Sequence, residues 1–307
     1  MLKSFLILIF MNLIWSGSYV AVKIGLESMP PLTLIFWRMG VSAVILCAWI
    51  FIKRIPVKLP RRIVLRIVAL GAVIAASHIL WVTGLKYTSA SDASLLYTFE
   101  PIWAIILASI FLKERFRPVM GIGLVFSFVG LIILSRITWS TLGSLFAASM
   151  AFGNLLIVLG LFCESSFSVI AKPLAGRASA IVAIAGALLV TDIITAIPIV
   201  ATGSFVLPRT LTDVAVILFL SIPCTVVGYV LWIKMMKNLP VNVMCYTIFV
   251  QPVVGPVIAV FAIGETLDSR VFAGGTFLLA GVFIAVVSHV RAHRAETCLP
   301  ISQPVTL

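Results

Sequence analysis

Long apolar runs fill this chain, separated by short polar connections in which basic residues cluster. A membrane helix needs roughly 20 apolar residues. On that measure ten spans are predicted, at 3–24, 32–53, 65–84, 90–112, 118–136, 151–171, 179–201, 213–234, 240–263 and 271–290. Little chain is left for loops, and no soluble domain fits between the spans.

The second half of the pattern repeats the first. Residues 80–130 align without a gap on 231–281 at an offset of 151. Leu80-Trp81 falls on Leu231-Trp232, Lys86 on Lys237, Pro101 on Pro252 and Glu114 on Glu265. Gly123 and Gly130 fall on Gly274 and Gly281. The first helices of the two halves align at an offset of 149, which sets Lys23 opposite Lys172. Each half therefore has five spans. Five is odd, so the second half enters the membrane inverted. Inverted repeats are a hallmark of secondary transporters, in which one half rocks against the other.

Composition sharpens this picture. Apolar residues make up 62% of the chain and charged residues 10%, whereas a soluble domain needs about a quarter charged to cover its surface. The solvent must therefore be largely lipid. The net charge of +12 does not point to nucleic acid, because it is confined to the connections. Sixteen of the 22 basic residues fall on one side of the ten-span arrangement. They include Lys53 to Arg66 in the second connection, Lys113 to Arg117 in the fourth, Lys172 and Arg177 in the sixth, and Lys234 and Lys237 in the eighth. By the positive-inside rule that side is cytoplasmic, and both termini lie on it. The start of the chain, Lys3 followed by an apolar run into Trp15, reads as a first span rather than a cleaved signal. Four of the five cysteines lie in apolar runs and no CxxC occurs, so neither a metal nor a disulfide is expected. His289 and His293 lack a third ligand. No phosphate-binding loop, GxSxG elbow or HExxH motif is present.

The segment from Trp15 to Gly25 (WSGSYVAVKIG), Pro30-Pro31 followed by Arg38, and the stretch from Leu85 through Glu100-Pro101 to Glu114-Arg115 resemble the drug/metabolite transporter superfamily, EamA type. Gly264-Glu265 is similar to the Gly-Glu ending of that family's repeats, while Lys113 replaces the glycine in the first half. The resemblance covers nearly the whole chain. It implies a ten-helix transporter with a central cavity lined by helices of both halves, and it names no substrate.

Ionisable groups inside a bilayer are costly and usually face a cavity. Here they are Arg38, His78, Glu100, Glu164 and Asp192. Glu100-Pro101 and Gln251-Pro252 are Pro-interrupted positions at matching places in the halves, which points to the binding site. Proline should free the carbonyls of Tyr97 and Ile248. Glu164 stands eight residues before Lys172. That spacing resembles the first helix of the small multidrug resistance transporters, whose glutamate is shared by proton and cation, and makes Glu164 the candidate for proton coupling. The opposing reading is a glutamate held by a neighbouring hydroxyl. Trp15 occupies the matching place in the first half. Arg38 is expected to pair with Asp192, to meet a substrate carboxylate or, since it matches a position of the resembled family, to be structural, and His78 to be structural. Aromatic faces bind amines and organic cations; Trp15, Tyr19, Trp81, Tyr97, Tyr229, Trp232 and Tyr246 fall in spans expected to line the cavity. The predicted cavity comprises Trp15, Ser18, Tyr19, Trp81, Tyr97, Glu100, Ser168, Trp232 and Gln251, with Glu164.

These readings combine into an all-α membrane protein of ten transmembrane helices, built as two inverted five-helix repeats over 1–137 and 138–292 with a cytoplasmic tail over 293–307. The expected function is secondary transport, in the export direction, of a small metabolite such as an amino acid or another amine, across the inner (cytoplasmic) membrane. The scarcity of basic residues in the spans argues against nucleotide sugars and sugar phosphates, which need several buried cations. A membrane-embedded enzyme acting on lipid-linked substrates is the alternative, disfavoured by dispersed acidic residues and short loops. No cofactor, metal or nucleic acid is expected. The expected partners are the substrate and the lipid bilayer, with the chain a monomer or homodimer.

Overall fold

The computed structural model describes residues 2–85, 87, 96, 100–114, 118–134, 148–263 and 269–298. These residues are helical apart from short connections. In chain order the elements are α1 (Leu2–Gly25), α2 (Pro31–Ile52), α3 (Arg61–Leu85), α4 (Glu100–Phe111), α5 (Pro118–Leu134), α6 (Ala148–Ala171) and α7 (Ala180–Thr202). There follow α8 (Leu211–Phe219), α9 (Gly228–Met235), α10 (Val241–Tyr246), α11 (Gln251–Ile263) and α12 (Ser269–Cys298). A π turn, Leu220–Val227, joins α8 to α9, and a 3₁₀ turn, Thr247–Val250, joins α10 to α11.

Among the described residues six helices are long and apolar enough to cross a membrane, and four shorter apolar helices accompany them. Ten apolar rods thus stand where ten spans are predicted. The fourth, expected over 90–112, is described as a helix only for Glu100–Phe111. The eighth and ninth are continuous rods with a non-α turn in the middle. Local chemistry sets the ends. Pro31 and Pro118 open α2 and α5 at the first turn, where proline's missing N–H has no cost. Thr210 and Asp213 form a capping box at the start of α8, and the Ser28 hydroxyl also donates to the Asp213 carboxylate. Gly203 closes α7 in the left-handed conformation, φ +61°.

Contacts between the halves come in pairs related by exchanging them. α1 packs on α11, and its counterpart α6 packs on α4. α2 packs on α7 and α5 on α12, each pairing matching elements of the two repeats. The α5–α12 seam is the most extensive in the molecule. There glycines replace side chains: a Cβ on Gly130 would fall 2.5 Å from the Gly274 carbonyl, and one on Gly123 would fall 2.7 Å from that of Gly281. Backbones in contact let lipid-solvated helices associate by close packing. The outer surface carries exposed Phe10, Phe51, Ile193, Val200 and Phe283, as a lipid-facing perimeter requires. The buried core lies between the halves and includes Met39, Leu70, Ile184, Tyr246 and Phe249.

Candidate functional site

The centre of the molecule is an aromatic cluster built around the π turn. Pro223 lies inside that turn and has no N–H to give its own helix. In a regular α-helix the Gly228 N–H would bond the Cys224 carbonyl; here it goes to the carbonyls of Pro223 and Thr225. The Cys224 carbonyl accepts instead from Trp15 Nε1 on α1, at 2.8 Å. Gly228 makes room, since a Cβ there would fall 2.6 Å from the indole nitrogen. The Trp15 ring sits 5.5 Å from Trp232 and 6.4 Å from Tyr229, and Phe167 lies 5.2 Å from Tyr229. Trp232 Nε1 donates to Ser168 Oγ at 3.0 Å. Trp15, Trp232 and Ser168 of the predicted cavity are therefore brought together, with Phe167 and Tyr229 added.

Beside this cluster lie the charged groups. Ser77 Oγ of α3 donates to Glu164 Oε2 of α6 at 2.7 Å. His78 Nδ1 lies 2.8 Å from the Ile74 carbonyl, which can only accept, so that nitrogen carries a proton. Glu164 is within electrostatic reach of Glu100, His78 and Tyr229. Arg38 reaches the same His78 and Tyr229. Its Nε donates to Thr225 Oγ1 at 2.8 Å, and that hydroxyl donates to the Leu220 carbonyl, also at 2.8 Å. The expected Arg38–Asp192 pair does not form. Asp192 packs against Gly40, and its Oδ1 is buried with no hydrogen-bond partner. Two carboxylates, one guanidinium and three large aromatic faces thus converge from α1, α2, α4, α6 and α9. Such a set can bind an ammonium or sulfonium group through charge and ring faces and offer a cation to an opposite carboxylate.

Other predicted residues serve the frame. Gln251 Nε2 donates to Asn12 Oδ1 at 2.7 Å, and Asn12 Nδ2 donates to Thr247 Oγ1 at 3.0 Å and to the Leu8 carbonyl at 2.8 Å. This buried network pins α1 to the break between α10 and α11. The Ile248 carbonyl is not freed by Pro252: the backbone tightens to 3₁₀ and the Gln251 N–H takes it. Ser18 Oγ turns back to the Trp15 carbonyl at 2.6 Å. Trp81 packs at the α3–α6 interface beside Ile157 and Leu161. Tyr97, and with it the Tyr97 carbonyl, lies outside the described residues, as does the side chain of Tyr19. Tyr246 is buried and donates to the Met120 carbonyl at 2.6 Å. Cys47, Cys163, Cys224 and Cys245 are free thiols, and among the described residues no cluster could hold a metal ion.

One end of the bundle, the face of the basic connections, carries a second polar assembly. Lys113 takes a left-handed conformation, φ +53°, at the place where Gly264 stands in the second half. That bend delivers the Glu114 carboxylate to α10, where Oε1 accepts the Val241 N–H and Oε2 the Asn242 N–H, each at 2.8 Å. Lys172 Nζ donates to the Met236 carbonyl at 2.7 Å and the Leu239 carbonyl at 2.8 Å, and lies 3.8 Å from Glu114 Oε1. Lys172 therefore grips a loop at the rim and does not pair with Glu164. A left-handed lysine is strained relative to glycine by roughly 1 kcal/mol. Lys113→Gly is expected to stabilise the protein by about that amount, read as a higher melting temperature in detergent.

Sequence reasoning missed Asn12, Ser77, Thr225 and the π turn. Asn12, in the middle of the first span, and Pro223, in the middle of the eighth, were the available signals. Nothing distinguished Ser77 from the other serines, because its role depends on how α3 is rotated against α6.

The EamA-like transporter family model matches residues 2–136 and 151–287. An uncharacterized transporter of Archaeoglobus fulgidus is 28% identical over 292 residues, 92% of this chain and 96% of that protein. The uncharacterized transporter YyaM of Bacillus subtilis is 24% identical over 298 residues, 92% and 93% of the two chains. An S-adenosylmethionine/S-adenosylhomocysteine transporter of Chlamydia trachomatis is 33% identical over 109 residues, 35% of this chain and 33% of that one. A solved crystal structure shares the fold, with a TM-score of 0.81 at 19% identity over 94% of this chain and 98% of the other. With two family matches end to end across ten apolar rods, this multi-pass membrane protein belongs to the EamA-like transporter family.

Proposed function

We propose that the protein is a proton-coupled secondary transporter that exports an amino acid or a related amine across the cytoplasmic membrane. The halves 1–137 and 138–292 rock against each other, with both termini on the cytoplasmic side. The observation that supports this most directly is the Glu164 carboxylate, held by Ser77, with its neighbour Ser165 bonded to the Glu100 carbonyl, in a molecule whose Trp15, Tyr229 and Trp232 rings cluster together. A substrate ammonium or sulfonium group sits against those carboxylates and ring faces, and Arg38 takes the carboxylate of an amino-acid substrate. The Chlamydia relative, named for a substrate that combines an amino acid with a sulfonium, fits the same chemistry. Basic groups inside the spans are too few for sugar phosphates.

The test is a binding screen of the purified protein against amino acids, amines, S-adenosylmethionine, sugars and nucleotide sugars, read by thermal shift and calorimetry. Binding of one or more amino compounds, weakened in Glu164→Gln, is expected. Binding confined to sugars or nucleotide sugars would refute the reading.

A further inference from the structure

The rim assembly joins parts of the chain that must separate if the central site is ever to open on the basic face. Glu114 ends α4 in the first half. The N–H groups it holds begin α10 in the second half. Lys172 ends α6 and grips the loop between α9 and α10 from the other side. One carboxylate and one ammonium thus hold the same loop, residues 236–242, from the two halves of the molecule.

Beneath this loop the described residues are buried. Every residue from Val241 to Thr247 is buried, and Met236 and Leu239 cap them. Cys245 is buried in α10, between the Glu114-held start of that helix and Thr247, which accepts from Asn12 of α1. The central groups Trp15, Arg38, His78, Glu100 and Glu164 are by contrast only partly buried. Among the described residues, the segment beneath the basic face is thus more deeply buried than the central groups.

Given alternating access as proposed above, we infer that Glu114 and Lys172 are positioning residues of a gate on the basic face. Glu114 latches the α9–α10 loop of the second half onto the first; Lys172, in the same half as the loop, braces it and pairs with Glu114 at 3.8 Å, and the Glu114 latch must release in each transport cycle. The chemistry suits a latch. The bonds are charge-assisted, and they are made to backbone groups at helix ends, where the α10 N-terminus favours an anion and the α9 C-terminus a cation. Both partners sit at the rim, where water can solvate them once they part. The loop can therefore release without leaving a buried charge unpaired.

The native Cys245 provides a readout that needs no substrate. In full-length protein with Cys47, Cys163, Cys224 and Cys298 replaced by alanine, a membrane-impermeant maleimide is applied to vesicles of each orientation. Glu114→Gln and Lys172→Met should speed Cys245 labelling from the basic face by roughly tenfold or more, because each removes charge-assisted bonds that hold the loop shut. Lys237→Met should leave the rate unchanged. Wild-type labelling rates in folded, monodisperse Glu114→Gln or Lys172→Met would overturn the gate and leave only a structural cap. A second pair of measurements covers variants that fail to fold. Glu114→Cys combined with Asn242→Cys, joined by a short crosslinker, should protect Cys245, and reduction of a cleavable linker should expose it. Equal labelling with the linker intact and cleaved would overturn the proposal. A null result in the substrate screen would leave this outcome untouched, and failure of the gate would leave the binding result standing.

Discussion

Replacing Glu164 by glutamine is expected to bring pH-gradient-driven flux down to the level of protein-free liposomes while the protein still inserts and folds. Glutamine has nearly the same shape, and its carbonyl oxygen can accept the bond that Ser77 now donates to Oε2, so the α3–α6 contact survives. What is lost is the ability to exchange a proton for a cation at one site. A proton and a substrate cation would compete for this one carboxylate, which gives antiport without a separate proton path. The measurement is proton movement in dye-loaded proteoliposomes, with the amino compound identified by binding as counter-substrate. Full gradient-driven flux in Glu164→Gln would remove it from the coupling role. Glu100, the other carboxylate of the pair, would then be the one to test.

The second large effect concerns assembly of the bundle. Gly281→Leu is expected to abolish recovery of folded protein, or to lower its stability by about 3 kcal/mol or more. A Cβ at this position would lie 2.2 Å from Ser127 Oγ, 2.4 Å from the Gly123 carbonyl and 2.8 Å from the Ser127 nitrogen. Two of those three atoms are helix backbone and cannot turn aside, so α5 and α12 would have to separate along their length. Expression with size-exclusion chromatography in mild detergent checks this, with Phe283→Leu on the lipid-facing surface as the control. A monodisperse Gly281→Leu protein melting within a degree or two of wild type would show that the seam is not the close contact described.

The spans, the two repeats and the family were legible because they rest on features local to the sequence: the length of apolar runs, the residues that break them and a constant offset. The site was legible only in its residue types. Trp15, Trp232 and Ser168 stood out as polar or aromatic groups in apolar helices, and they do meet. Their partners were hidden for two reasons. Helices apolar on every side carry no periodicity that says which face turns inward. Several of the partners, moreover, are backbone atoms, such as the Cys224 carbonyl that holds Trp15 and the Met236 and Leu239 carbonyls that hold Lys172. No side-chain pattern announces a carbonyl released by a change of helical register. Lys172 shows the hazard: its spacing from Glu164 carried the resemblance that singled out the glutamate, yet about two turns of helix carry the lysine to the rim.

The π turn at Leu220–Val227 has no match in the first half, where the position corresponding to Pro223 is Ala72, inside the regular helix α3. The two repeats cannot then trade conformations as equivalents under their pseudo-two-fold axis. In one open state the helix with the loosened turn would take the shape that its regular counterpart takes in the other, so the two states differ in energy. The barriers for the two reorientations of an unloaded carrier should differ, and with them the share of time each door stands open. That bias sets which side's substrate concentration saturates the carrier first. It cannot move anything uphill by itself, because the equilibrium is fixed by the solutes and the gradient alone.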